Sequence, residues 1–170
     1  MFLYFSLSTT GTSFTDNILQ LGSTTHDRSM KFNAHIFPDC PIHPNASREH
    51  GIYLQHDTAF HEDLLVKDTT VLDARPPRDV LEAFANFLDR VHMEYGYRDI
   101  VLVCYNGIQW GGRVLLREFD RYEVCFPVSV VGFSDPMRMA VKLFPGLPAG
   151  YKQLVGKLLC IACYWLVPQK

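Results

Sequence analysis

Residues 2–11 read FLYFSLSTTG, a run of apolar and aromatic residues that gives way to small polar residues and a glycine. Runs of this kind, bounded by Ser, Thr and Gly, are typical of β-strands that end in turns. The stretch therefore predicts a strand from Phe2 to Leu7 and a turn at Ser8–Gly11. The same reasoning predicts strands at Asn17–Leu21 and Lys31–Phe37. Three consecutive strands with short links predict an antiparallel meander at the start of a sheet.

The rest of the chain alternates helices with strands. From Pro77 to Val91, apolar residues recur with the period of about 3.6 residues that is typical of an amphipathic helix. The continuous apolar run from Ile100 to Cys104 predicts a strand that is buried on both faces. Further elements are predicted as helices at Asn45–His50, from Gly111, at Asp135–Phe144 and from Tyr151, and as a strand at Val128–Phe133. This order predicts one α/β domain with a mixed sheet and helices packed on it.

Composition excludes several classes of protein. The chain has 170 residues, of which 48% are hydrophobic and 20% are charged, and its formal net charge is −2. A domain of this size buries about 70% of the surface of its unfolded chain. That is enough for a core without disulfides. The high hydrophobic content excludes a disordered chain. The near-neutral charge argues against a dedicated polyanion binder and leaves a local basic face open.

The cysteines and the ends of the chain bear on the compartment. Five cysteines form an odd set, which is typical of reduced thiols in the cytoplasm or nucleus. The apolar start of the chain has no basic segment and therefore predicts no signal peptide. The apolar segment Leu158–Val167 is too short to cross a bilayer. No membrane partner is therefore expected. Cys160 and Cys163 lack a second pair, which favours ordinary packing over a zinc site. The seven histidines share no helical face, which favours loop residues over a metal site.

Three segments of the chain together resemble one family. Residues 4–11, YFSLSTTG, resemble the first motif of DEDDh-type 3′–5′ exonucleases, F-x-D-x-E-T-T-G. Residues 42–52, IHPNASREHGI, are similar to the family's segment that ends in H-G-I. Residues 102–111, LVCYNGIQWG, are similar to its second motif, L-V-x-H-N-G-x-x-F-D. Further similarities follow at residues 132–136, 142–147 and 151–154.

The resemblance is closest to PML-related and three-prime repair exonuclease-like domains, and it covers essentially residues 2–159. It implies a ribonuclease-H-like α/β fold, a mixed β-sheet flanked by helices, in an exonuclease-like domain at residues 1–159. Residues 160–170 are an atypical apolar C-terminal tail, so the chain is expected to be a degenerate and C-terminally truncated relative. The tail either completes the core, forms an exposed patch or replaces the last helix in a spliced product, and these alternatives stay open.

The family's chemistry is phosphodiester hydrolysis with two divalent metal ions held by carboxylates. The resemblance implies two acids in the first motif, one in the second and one in the last, with a histidine as general base. The matching acid positions here carry Ser6, Ser8 and Gly111, the histidine position carries Tyr105, and no last motif follows Leu159. A neutral hydroxyl does not offset the charge of two metal ions. The other acids that we considered do not have the spacing to rebuild the cluster: Asp16, Asp120 and Asp135.

Residues beside the degenerate motifs are candidates for contact with nucleic acid: Thr9, Thr10, Asn106, Trp110, Arg113 and Arg117. The threonines and the asparagine match positions at which the family contacts its substrate. The tryptophan either stacks on a base or packs under the cleft. The two arginines and Arg121 fall four residues apart on one helical stripe, which is either a ridge that contacts phosphates or a solvated helix face.

These observations predict a catalytically inactive exonuclease-like domain that acts as a nucleic-acid-binding or protein-interaction module. Its expected partner is single-stranded nucleic acid or a protein, and no cofactor is expected. The first alternative is an active 3′–5′ exonuclease that binds Mg²⁺ or Mn²⁺ through non-standard ligands. The second alternative is an interaction protein that dimerises through the apolar tail at 160–170.

Overall fold

The computed structural model describes residues 1–58, 61–136, 138 and 146. The strands of its larger sheet are β1 (Phe2–Thr9), β2 (Ile18–Thr25), β3 (Lys31–Ile36), β7 (Ala74–Arg75), β8 (Ile100–Val103) and β9 (Val130–Ser134). They lie in the order β7-β3-β2-β1-β8-β9. The first three pair antiparallel, whereas β8 is parallel to β1 and β9 is parallel to β8. The expected meander and the expected mixed sheet are therefore confirmed.

The first two strands are longer than the sequence predicts. β1 continues to Thr9, so the turn predicted at Ser8–Gly11 begins too early. β2 continues to Thr25, beyond the predicted end at Leu21. In both places the additional residues are Gly, Ser and Thr, of which only Thr favours a strand by itself, and they pair with the neighbouring strand. Tertiary pairing therefore decides these boundaries.

The sequence does not predict the second, smaller sheet. Its strands are β4 (Ile52–Asp57), β5 (Glu62–Lys67) and β6 (Thr70–Val71), which pair antiparallel in this order. The strands are short and carry many charged residues, so their alternation of apolar and polar residues is weak. Buried Leu19, Ile52 and Leu65 form the small core that joins this sheet to β2.

The predicted short helix is confirmed as α1 (Pro44–His50), immediately before β4. It ends at Gly51, whose φ of 74° is left-handed and whose N–H donates to Ser47 O (2.8 Å). Glycine adopts this conformation without steric cost. The helix and its glycine cap direct the chain from the larger sheet into the smaller one.

Two longer helices pack on the larger sheet, α2 (Pro77–Glu94) and α3 (Gly112–Arg121). The apolar stripe predicted for α2 is confirmed, because all of its members are buried: Val80, Leu81, Phe84, Phe87, Leu88 and Val91. They share one core with Leu3 and Phe5 of β1 and with Phe119 of α3. The helix continues beyond the predicted end at Val91. This core fixes the ends of β1 and β8, where the candidate site lies.

Several predicted elements lie outside the described residues. They are most of the helix at Asp135–Phe144, the helix from Tyr151, and the tail at 160–170 with Cys160 and Cys163. In the part of the chain that is described, no helix has both the length and the apolar character that a membrane span requires.

Candidate functional site

Ser6 and Ser8 lie on the same face of β1, because alternate residues of a strand point to the same side. They pair with Gly22 and Gln20 of β2. Ser6 is half-buried and Ser8 is buried. Gly22 leaves room for the Ser6 hydroxyl, since a methyl group added at Gly22 would lie 3.3 Å from Ser6 Oγ. These positions present neutral hydroxyls where the family resemblance implies carboxylates.

A π-helical turn at Gly107–Gly111 connects β8 to α3. It follows Asn106, whose φ of 54° is left-handed. The Asn106 carbonyl accepts hydrogen bonds from the N–H groups of Trp110 (2.9 Å) and Gly111 (3.2 Å). Turns of this type occur frequently at functional sites. The turn places Asn106 and Trp110 at the end of β8, next to the half-buried Tyr105.

Gly111 is buried and faces the hydrophobic core. A methyl group added there would lie 2.8 Å from Cys104 Sγ and 3.7 Å from Phe5 Cζ, and both residues belong to the main core. A methyl group added at the next residue, Gly112, would lie 2.7 Å from Gly107 O. The glycines therefore let the start of α3 approach the sheet closely. The position that matches the second-motif acid points into an apolar site with no room for a carboxylate.

The donor atoms at these positions do not fit a pair of divalent metal ions. The Asp16 carboxylate is engaged in the chain, where it accepts hydrogen bonds from the Ser13 N–H and from Thr10 Oγ1 (3.3 Å). Asp120 is exposed on α3, and Asp135 is buried at the end of β9. Among the described residues, no three His, Cys, Asp or Glu side chains lie close enough to share a metal ion. The residues present therefore do not match the ligand set that two-metal hydrolysis needs.

Thr9 and Thr10 are buried, and their hydroxyls form hydrogen bonds within the chain. Thr9 Oγ1 donates to Gly11 O (2.6 Å), and Thr10 Oγ1 accepts from the Asn17 N–H (3.0 Å). The Thr10 N–H donates in turn to Asn17 O (2.9 Å). We call the segment between β1 and β2 the Thr10–Asn17 turn. Both threonines hold this turn in its conformation.

His50 ties α1 to the end of β1. Its Nδ1 accepts the Ile52 N–H (3.1 Å), so Nε2 carries the proton and donates to Thr9 O (3.1 Å). Burial lowers the pKa of His50, and the hydrogen bond to Thr9 O partly opposes this shift. The neutral ring is the form that satisfies both partners. Sequence reasoning assigned no role to this histidine, whose signal is its place in the H-G-I segment.

Trp110 and Arg117 hold the Thr10–Asn17 turn against the start of α3. Trp110 Nε1 donates a hydrogen bond to Thr12 O (3.2 Å). The Arg117 guanidinium donates to Phe14 O and to Asp16 O. Neither residue could be assigned this role from the sequence, because the two partners lie about a hundred residues apart. The structure therefore brings the two degenerate motifs together through these contacts.

The other arginines of the predicted stripe have different partners. The Arg113 guanidinium carbon lies 5.2 Å from the centroid of the Phe14 ring. Arg121 forms an ion pair with Asp39, in the segment after β3, and lies 5.2 Å from the centroid of the Tyr122 ring. The stripe thus links α3 to two neighbouring segments. Arg113 and Arg121 are exposed, whereas Arg117 is half-buried.

Glu118 is a buried acid that the sequence reasoning missed. It is 1% exposed and accepts a hydrogen bond from Arg117, with Arg121 Nη1 at 3.8 Å. Burial raises the pKa of Glu118, and the hydrogen bond from Arg117 opposes this shift. A buried carboxylate is costly unless it is paired. Glu118 therefore needs Arg117, and it holds the guanidinium that fixes the turn.

The fold is that of a ribonuclease-H-like domain of the exonuclease type. The family model described as the Exuperantia RNAse H-like domain matches residues 1–147. The chain therefore belongs to the Exuperantia RNase H-like domain family. The resemblance found in the sequence is confirmed at the level of the RNase H-like, exonuclease-type domain. No curated protein sequence matches the chain significantly.

Solved structures of E. coli exonuclease I share the fold. The complex with a 5cy-dA13 oligonucleotide is 18% identical, with a TM-score of 0.52 over 85% of this chain and 30% of that chain. The complex with a 5cy-dT13 oligonucleotide is 16% identical, with a TM-score of 0.55 over 88% and 31%. The ExoI/SSB-Ct complex is 17% identical, with a TM-score of 0.53 over 85% and 31%. This chain spans about a third of the length of those proteins, and the likeness shows the fold.

Proposed function

We propose that this chain is a catalytically inactive exonuclease-like domain that binds single-stranded nucleic acid. The observation that carries the proposal is the chemistry at the three matched acid positions. Two of them offer the neutral hydroxyls of Ser6 and Ser8, and the third, Gly111, faces Cys104 and Phe5 in the core. A scaffold of this type keeps the fold of the exonuclease domain and lacks the charge that holds metal ions.

The proposal of nucleic-acid binding rests on the surroundings of these positions. Asn106 and Trp110 lie on the turn that leads into α3, and Arg113 is exposed beside them. Basic side chains near aromatic rings are suited to a sugar–phosphate backbone and to bases. The related fold of E. coli exonuclease I has been solved with oligonucleotides and with single-stranded DNA. These complexes support the proposal at the level of the fold.

Nucleotide release tests catalytic inactivity. Purified chain is incubated with uniformly labelled single-stranded DNA and RNA in Mg²⁺ or in Mn²⁺, with E. coli exonuclease I as the positive control on DNA. We expect no release above that of a heat-inactivated sample. EDTA-sensitive release by the wild-type chain that disappears in the Ser6→Ala/Ser8→Ala variant would refute the proposal. EDTA-sensitive release that persists in this variant also refutes the proposal when it stays with the chain through a further chromatography step, and it is assigned to a contaminating nuclease only when it separates from the chain.

Fluorescence anisotropy of labelled single strands tests binding. We expect affinity for a single-stranded oligonucleotide that falls as salt rises, because phosphate contacts release counterions. A protein partner, or self-association through the tail at 160–170, stays a prediction, since the tail lies outside the described residues. We also propose the reducing cytoplasm or nucleus as the compartment, with the buried thiol of Cys104 as support.

A further inference from the structure

Phe14 is an exposed aromatic residue at the tip of the Thr10–Asn17 turn. Its side chain is 48% exposed. The guanidinium carbon of Arg113 lies 5.2 Å from the centroid of its ring, which is the distance of a cation–π contact. A half-exposed ring with a cation beside it leaves part of its surface open to solvent. Neither the sequence motifs nor the proposed function assigns a role to Phe14.

The backbone that carries Phe14 is held in place on both sides of the ring. Arg117 donates hydrogen bonds to the carbonyl of Phe14 itself and to that of Asp16. Trp110 holds the carbonyl of Thr12. The turn thus presents Phe14 in a fixed position although the ring gains little from burial. A ligand that contacts the ring does not have to order this segment, and preorganisation of this kind favours binding.

The charge beside Phe14 favours a nucleic acid over an apolar peptide as the ligand. In the part of the chain that is described, Arg117 pairs with Glu118 and Arg121 pairs with Asp39, whereas Arg113 forms no ion pair. The positive charge next to the ring is therefore not offset by a neighbouring carboxylate. An aromatic face beside an uncompensated arginine suits a base that is followed by a phosphate.

We propose that Phe14 and Arg113 form a stacking platform for one base of a single-stranded nucleic acid, where the Thr10–Asn17 turn meets the start of α3. The base stacks on the open part of the Phe14 ring, and the Arg113 guanidinium contacts the adjoining phosphate. Trp110 and Arg117 are positioning residues that hold the turn. This platform rests on the proposed function, because it names where that function's ligand is bound.

The test compares Phe14→Leu with a matched control, Phe2→Leu. Phe2 is a phenylalanine of similar exposure (52%) at the opposite end of β1. Anisotropy titrations use labelled oligo(dA), oligo(rA) and an abasic oligonucleotide of equal length, at fixed salt. We expect Phe14→Leu to weaken binding of the two base-containing strands about tenfold, as loss of one base stack does. Phe14→Tyr keeps an aromatic face and should bind as the wild type does. The ratio of the wild-type affinities for oligo(dA) and oligo(rA) shows whether the platform prefers DNA or RNA.

The possible outcomes separate the platform from the proposed function. Wild-type binding that Phe14→Leu leaves unchanged overturns the platform and leaves the proposed function intact. An equal loss of affinity for the abasic strand, or the same loss in Phe2→Leu, also overturns the platform, because the effect then does not come from a base stack at Phe14. Absence of binding to all three strands by the folded wild-type chain overturns both. Thermal unfolding of each variant confirms that it is folded.

Discussion

Gly111→Ala tests the claim that the second-motif acid position faces the core. The added methyl group would lie 2.8 Å from Cys104 Sγ and 3.7 Å from Phe5 Cζ. The first distance is roughly 1 Å shorter than an ordinary contact between heavy atoms. The backbone itself favours alanine, because Gly111 has a helical φ of −57° and ψ of −44°. The steric contact and the backbone preference therefore oppose each other. Their relative sizes decide whether Gly111→Ala raises or lowers the free energy of unfolding.

The steric term is the larger one. Overpacking of a core costs about 1–3 kcal/mol, and so short a contact belongs in the upper half of that range. Replacing a helical glycine by alanine gains at most about 1 kcal/mol. We therefore expect Gly111→Ala to lower the free energy of unfolding by about 1–2 kcal/mol, which corresponds to roughly 2–8 °C in Tm for a chain of this size.

A double-mutant cycle with Cys104→Ala isolates the contact. The substitution removes Sγ and leaves Cys104 Cβ at 3.9 Å from the added methyl group. In that background Gly111→Ala should be neutral or stabilising, with a coupling of about 2 kcal/mol between the two positions. Gly132→Ala is the control, because a methyl group there meets no atom within 4 Å. Urea unfolding in which Gly111→Ala is as stable as the wild type, or in which Cys104→Ala leaves its cost unchanged, would refute the reasoning.

Two further variants test the contacts around the site. Arg117→Met should lower the free energy of unfolding by about 3 kcal/mol, because it leaves the buried Glu118 carboxylate without its closest partner. Adding Glu118→Gln should recover part of the lost free energy of unfolding. Urea unfolding in which Arg117→Met is more stable than Arg117→Met/Glu118→Gln would contradict this account. His50→Gln tests the pH dependence. Burial lowers the pKa of His50 in the folded state, so the unfolded state takes up the proton first and wild-type stability falls as pH drops from about 6.5 toward the lowered pKa. Urea unfolding at pH 7.5 and 5.5 should show a smaller acid-induced loss in His50→Gln, and an equal loss would rule out this histidine as a cause.

Local patterns predicted the elements whose signal is contained in one stretch of chain. The stripe of α2 is visible from Val80 to Val91 because the helical period alone determines which residues share a face. The apolar run at Ile100–Cys104 predicted a strand that is buried on both faces, and β8 (Ile100–Val103) is such a strand, with Val101 half-buried and its other residues buried. The sequence did not predict the smaller sheet, because its strands are short and charged and are stabilised by pairing with each other. The same holds for the polar half of β2, which is a strand because β1 lies beside it.

The degenerate site, too, could be predicted only in part from the sequence. The spacing of Ser6, Ser8 and Gly111 within recognisable motifs predicted that the acids are missing. The spacing did not indicate that a side chain at position 111 would point at Cys104. That direction depends on the π-helical turn and on the packing of α3 against the sheet. The sequence left the role of Trp110 open between stacking on a base and packing. In the structure the half-buried Trp110 packs against the main core, and its Nε1 also donates a hydrogen bond to Thr12 O.

The sequence by itself determined the class of fold and the loss of the expected carboxylates, because residue types and their order along the chain suffice for both. Only the tertiary structure decided how the two degenerate motifs are held against each other. The Thr10–Asn17 turn and the start of α3 are far apart in sequence, and their contacts depend on where β1 and β8 end in the folded sheet. The exposed ring of Phe14, the guanidinium beside it and the buried Glu118 that holds Arg117 follow from that juxtaposition. No local pattern encodes them.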